Sequence, residues 1–137
     1  MEDTEATEFT QLIGLIVNLN KDGTCTSQLR LRTHHLSVAA RVHGGVLASM
    51  LDTTLGGAVF GSLPVGNGCA TLSFNISFFR PVAEGKLICT ARVGNMTRRT
   101  AYASGEIHDE EGRLVASATG TFFLTSTAKQ SSQSFAP

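Results

Sequence analysis

The chain has 137 residues, with 11 lysines and arginines against 11 aspartates and glutamates and a formal net charge of zero. That is one domain's worth of chain, and it offers no broad positive field for nucleic acid or an anionic membrane surface, so an anionic ligand has to be met by a local cluster. The three cysteines, Cys25, Cys69 and Cys89, are far apart, lack the paired spacing of a metal knuckle and fit a reduced, intracellular setting.

In chain order, the first ten residues, MEDTEATEFT, are acidic and polar where a secretory signal is basic and then apolar, which predicts a cytoplasmic protein. Residues 1–8 and 126–137 carry few large apolar groups and are expected to be flexible ends around a single domain at 9–125. Leu12 to Leu19, a Lys21-Asp22-Gly23 turn and Thr24 to Thr33 predict a hairpin, in which Leu29 and Leu31 alternate with Arg30 and Arg32. From Val42 the period changes. Val46, Leu47, Met50, Leu51, Leu55, Ala58 and Val59 recur at three- and four-residue spacings and predict the one convincing helix. Ser49, Asp52, Thr53, Thr54 and several glycines break its apolar run, which falls short of a membrane span. After the Pro64, Gly66 and Gly68 loop, Ala70, Leu72, Phe74, Ile76 and Phe78 alternate with Thr71, Ser73, Asn75, Ser77 and Phe79, a strand with one apolar face. Leu87–Val93, Arg99–Ile107 and Leu114–Leu124 follow, separated by turns at Glu84-Gly85 and Asp109–Gly112. The fold class is α+β: one long helix and a curved antiparallel sheet of about six strands whose apolar face it covers.

Asp52 is the one ionisable group between Gly44 and Gly61. On a helix it shares its stripe with Ala48, Leu55 and Val59, so it is expected to be desolvated, a setting suited to a base or nucleophile. The competing reading is a structural carboxylate bonded to Thr53 or Ser49. His43-Gly44-Gly45 stands where the helix begins, and its backbone N–H groups, aided by the helix dipole, suit an oxyanion hole; the same triplet also makes an ordinary turn. From His43 to Asp52 is about 13 Å at the helical rise of 1.5 Å per residue, too far for both to act on one carbonyl. If the two belong to one site, it is completed across a two-fold axis by a second copy. His34 and His35 lack acidic or thiol partners at ligand spacing and read as strand-end or rim residues, with no metal site. No glycine-rich phosphate loop is present, and no cofactor is expected.

The stretch HHLSVAARVHGGVLASMLD resembles the motif region of the hotdog-fold acyl-CoA thioesterases, in particular the phenylacetate-pathway branch: His-x-Asn, then His-Gly-Gly, then an acid nine residues after that histidine. His35-Leu36-Ser37, His43-Gly44-Gly45 and Asp52 fall on those positions. SFFRPVAEG at 77–85 and EEGRLVASATGTF at 110–122 are similar to a strand end of the 4-hydroxybenzoyl-CoA thioesterases and to the family's last hairpin. The likeness runs from about Leu12 to Leu124. It implies a hotdog fold, hydrolysis of acyl-CoA, Asp52 as nucleophile or general base, the Gly44 N–H as holder of the thioester oxygen, and His43 shaping the site. Thr71 matches the strand position where relatives place a water-orienting hydroxyl. Three positions depart from the pattern: Ser37 replaces the usual Asn or Gln, Ala40 a usual glycine, and Gly56 a hydroxyl one turn after the acid.

Without that last hydroxyl, Thr71 or Ser73 serves if a hydroxyl is needed at all, and strand alternation puts both on the face opposite Phe74. Gly45, Ser73, Arg80 and the Arg98-Arg99 pair are the candidates for holding the substrate and its CoA, and Val46, Met50, Leu55 and Phe60 for the acyl walls, with aromatic and medium-chain acyl groups both open. The expected partners are the acyl-CoA and further copies of the chain, as homodimer or homotetramer. Two other readings are an acyl-thioester hydratase or dehydratase on the same fold, and a non-catalytic acyl-CoA binding protein.

Overall fold

The computed structural model describes residues 3–4 and 6–126. In chain order the elements are β1 (Asp3–Thr4), α1 (Glu8–Ile13), β2 (Leu15–Leu19), β3 (Thr24–Arg30), a 3-10 turn (Thr33–His35), α2 (Gly44–Phe60), β4 (Gly68–Phe78), β5 (Lys86–Met96), β6 (Thr100–His108) and β7 (Leu114–Thr125). All strand pairs are antiparallel, in the order β1-β2-β3-β5-β6-β7-β4. β4, the strand that follows the helix, therefore crosses to the far edge of the sheet. Apart from the two-residue β1, this is the expected one-helix, six-strand hotdog arrangement.

The helix lies on the sheet because one side of it is apolar and the sheet gives way beneath it. Leu47, Met50, Leu51, Leu55, Ala58 and Val59 are buried against Val17, Leu29, Leu87, Cys89, Ile107, Val115 and Phe122. Two glycines permit the close approach. A Cβ on Gly57 would come within 2.6 Å of Cys25 Sγ, and one on Gly105 within 2.7 Å of Leu55 Cδ1. Thr54, the polar residue on this buried side, is hydrogen-bonded to Ser27 at 2.7 Å and donates to Met50 O, so its burial leaves no polar atom unmatched.

The N-terminal segment differs from the hairpin reading. Leu12 and Ile13 belong to α1, and the strand begins only at Leu15. The cause is local: the side chains of Thr7 and Thr10 and their backbone N–H groups bond reciprocally at the start, and Gly14, at φ 78°, ends the helix in the left-handed region. Of the ends expected to be flexible, residues 1, 2, 5 and 127–137 lie outside the described residues, whereas Asp3–Thr4 pairs with β2 and Thr7 caps α1. Among the described residues no helix is long and apolar enough to cross a membrane.

Candidate active site

The start of α2 is assembled from nearby chain. His43 is its N-cap, and its Nδ1 accepts the Gly45 N–H at 2.8 Å. A Cβ at residue 45 would stand 3.0 Å from that nitrogen, so any larger residue there would press on the His43 ring. The His43 carbonyl accepts from Val46 and Leu47, and the His43 N–H donates to His35 O at 2.9 Å. This leaves the Gly44 N–H without a hydrogen bond among the described residues, exposed at the positive end of the helix. Gly45, grouped with the ligand-binding residues from sequence, spends its N–H inside the cap.

His35 is not a rim residue. It is 2% exposed, its Nδ1 accepts the Arg32 N–H at 2.9 Å, and its Nε2 donates to Ile13 O at 2.7 Å. With its own carbonyl on the His43 N–H, this one side chain and its backbone tie α1, the 3-10 turn and the start of α2 together. Sequence reasoning missed this. The pair stands between Arg32-Thr33 and Leu36-Ser37, and that pattern does not distinguish which of His34 and His35 turns inward.

Ser37 closes a tight loop. Its N–H donates to Arg41 O, its hydroxyl accepts the Ala39 N–H at 3.3 Å, and Ala40 is held at φ 59°. The structure does not bring Ser37 to Asp52.

Asp52 lies eight residues into α2 from Gly44, about 12 Å along the axis. It is half-buried rather than enclosed, with an open side, and its Oδ1 accepts Thr71 Oγ1 at 2.9 Å. Neither Thr53 nor Ser49 holds it; the Ser49 hydroxyl donates to Gly45 O. A β-bulge explains why Thr71 reaches the carboxylate and Ser73 does not. Thr71 pairs with Phe122, whose ring is buried under the helix, but the register slips before Ser73, which pairs with Thr121. Phe74 then pairs with Gly120, beneath Leu55. With the extra residue Leu72 between them, Thr71 and Phe74 both face the helix and Ser73 faces outward, so the shared face expected from alternation is corrected.

Asp52 and Thr71 line a groove of about 500 Å³ between α1, α2 and the start of β4. Phe60 is one of its walls, but Met50 and Leu55 are wholly buried in the core and line nothing. Cys69 is in the groove too, and burial, with the charge of Asp52 second, pushes its thiol up to about 11, so it stays protonated and unreactive near neutral pH. A hollow of similar size, about 540 Å³, lies on the outer face of the sheet, lined by Thr and Ser with Arg92 and Glu106, away from both α2 and Asp52.

The three cationic candidates fall at opposite ends. Arg80 follows the Phe78 ring, which lies beside Gly44, and the Val42 N–H donates to Val82 O just beyond it. Arg98 and Arg99 are in the β5–β6 turn, where Arg99 O accepts from Leu124, the partner of Cys69 in the sheet. All three are exposed, and none forms an ion pair among the described residues. No group of metal-ligating side chains exists among those residues.

A free N–H at a helix start can hold a developing oxyanion, and a carboxylate fixed by a hydroxyl beside an apolar groove can attack a carbonyl or activate water. Comparison with known proteins agrees with that chemistry. The family model described as the thioesterase superfamily matches residues 40–116. A Halobacterium salinarum protein provisionally named an esterase is 34% identical over 125 residues, covering 80% of each chain. A variant of the phenylacetic acid degradation protein PaaI from Thermus thermophilus superposes with a TM-score of 0.78 at 31% identity, over 85% of this chain and 98% of that one. The BH2602 protein of Bacillus halodurans, solved with CoA, gives a TM-score of 0.80 at 28% identity, over 87% and 79%.

Proposed function

The chain belongs to the thioesterase superfamily, and on that premise we propose that it hydrolyses acyl-CoA thioesters to the free acid and CoA, with Asp52 as the working carboxylate. The observation that carries the reading is the 2.9 Å bond from Thr71 Oγ1 to Asp52 in the groove. The helix's lone carboxylate is held in one orientation by a residue from another element, with its free oxygen left for chemistry. The acyl carbonyl docks on the Gly44 N–H, which stabilises the charge that develops on its oxygen. Asp52 then either attacks the carbonyl carbon, giving an anhydride that water opens, or takes a proton from the water that attacks. In both routes the C–S bond breaks and CoA leaves as the thiol.

The 12 Å between Gly44 and Asp52 makes each site the joint property of two copies, the Gly44 of one protomer facing the Asp52 of its partner. The sheet edge supports this. Among the described residues β4 is paired on one side only, and Leu72, Phe78 and Phe79 on or just beyond it are exposed, the kind of edge that a second copy covers. The exposed Arg80, Arg98 and Arg99 are the cations this chain offers to the phosphates of CoA. The CoA-bound relative supports CoA as the leaving group, and three free thiols suit a reducing compartment such as the cytoplasm.

The test is CoA release by the purified protein and by Asp52→Asn over short, medium, long-chain and aromatic acyl-CoAs. Turnover is expected to fall about a thousandfold in the variant. Full turnover in Asp52→Asn would refute the role of the carboxylate, and binding without turnover in the wild type would favour a binding protein.

A further inference from the structure

Gly56 is one turn beyond Asp52 on the stripe that ends at Phe60, and all three line the groove. Glycine in the middle of a helix weakens it, so its presence calls for a cause. At Gly57 the cause is packing, since a Cβ there would strike Cys25 Sγ at 2.6 Å; at Gly56 it is not, since a Cβ would meet only Phe122 Cε2, at an ordinary 3.5 Å. Alanine fits at residue 56 without moving anything. What the missing side chain provides is room: the groove floor is bare midway between the carboxylate and the Phe60 ring, over a run of about 12 Å.

The groove also has a fixed roof. Phe9 of α1 lines it with about half of its surface exposed. α1 is clamped at its start by the Thr7–Thr10 bonds and at its end by His35 Nε2 on Ile13 O. Among the described residues that line the groove, Asp52 and the Cys69 thiol are the only ionisable groups, and none is a cation. A second carboxylate on an acyl group would meet Asp52 with nothing to neutralise it, whereas an apolar chain meets Phe9, Phe60 and Phe122.

We infer that this groove is a ruler for the acyl chain: a straight, uncharged acyl group of medium length lies along α2 over Gly56, under Phe9, and is stopped by Phe60. The inference rests on the acyl-CoA reading above but concerns residues that take no part in the hydrolysis. Two substitutions should move the chain-length profile in opposite directions. Gly56→Leu fills the floor and favours shorter chains; Phe60→Ala removes the stop and favours longer ones. For each, the preference between the best wild-type chain and one a few methylenes shorter or longer should change by about tenfold or more.

The measurement is the affinity of non-hydrolysable acyl-CoA thioethers of increasing chain length, and of one ending in a carboxylate, together with CoA release from the matching thioesters. A medium-length optimum, weak binding of the carboxylate-ended analogue and opposite shifts in the two variants support the ruler. Affinity independent of length in the wild type, or variants that move the profile the same way or not at all, overturns it whatever the turnover. Length-dependent binding that shifts as described without any CoA release leaves the ruler standing and refutes the hydrolysis reading instead.

Discussion

The two halves of the site, at the start of α2 and one-half of the way along it, are built by different means. At the start, everything that exposes the Gly44 N–H comes from within ten residues: the His43 cap, the Gly45 N–H it consumes, and the His35 carbonyl behind it. At Asp52, the partner is Thr71, nineteen residues away, and it arrives only because β4 carries a bulge. A backbone donor can be fixed by local chain, because caps and turns are decided by the nearest side chains. A side-chain carboxylate needs a distant element to orient it, and that element's register decides which hydroxyl does so.

The comparison predicts a graded set of losses. Asp52→Asn aside, the largest is at the backbone end: Gly44→Pro deletes the donor at the first helical position, where proline's fixed φ suits the helix and the extended His43 (φ −71°, ψ 138°) suits the residue before it. kcat should fall at least about a hundredfold, while the far-ultraviolet circular dichroism stays that of the wild type; retained kcat would remove Gly44 from the mechanism. Next is the clamp behind it. His35→Leu strips partners from the Arg32 N–H and the Ile13 C=O, both in part-buried hydrogen bonds, and a urea titration should register a loss of about 2 kcal/mol. Third, Thr71→Val removes the bond that orients Asp52, so kcat should drop about tenfold with KM little changed and Thr71→Ser should recover most of it; an equal loss in Ser73→Val would point to the outward hydroxyl instead. The smallest effect is a gain. Ala40 sits at φ 59°, in the left-handed region that disfavours any side chain, and Ala40→Gly should raise stability by up to about 1 kcal/mol, seen as a higher midpoint of thermal unfolding.

The same contrast explains what could be read from the sequence. Periodicity was enough for the long helix, the alternating strands and the lone Asp52, because those patterns are set by burial on one face of a regular element. His43-Gly44-Gly45 was legible as a helix start for the reason given above. α1 was missed because six residues are too few to carry a period, although Thr7-Glu8-Phe9-Thr10 was a cap signal that could have marked it. The split between Thr71 and Ser73 was out of reach: a bulge shifts one strand by one residue without a distinctive residue type at Leu72. In the sequence Met50 and Leu55 read as pocket walls because apolar residues near a reactive group look alike whether they face a ligand or the core; Phe60, on the same stripe as Asp52, does line the groove.

The central claim is that Gly44 of one protomer and Asp52 of another serve the same carbonyl. Chains carrying Gly44→Pro and chains carrying Asp52→Asn, each inactive alone, can be unfolded together in equal amounts, refolded and assayed for CoA release. If sites are shared across a two-fold, half the dimers are mixed and each has one intact site of its two, so the mixture should recover about a quarter of wild-type turnover. No recovery, from a mixture confirmed to contain mixed dimers, would contradict the shared site and require both groups to act within a single chain.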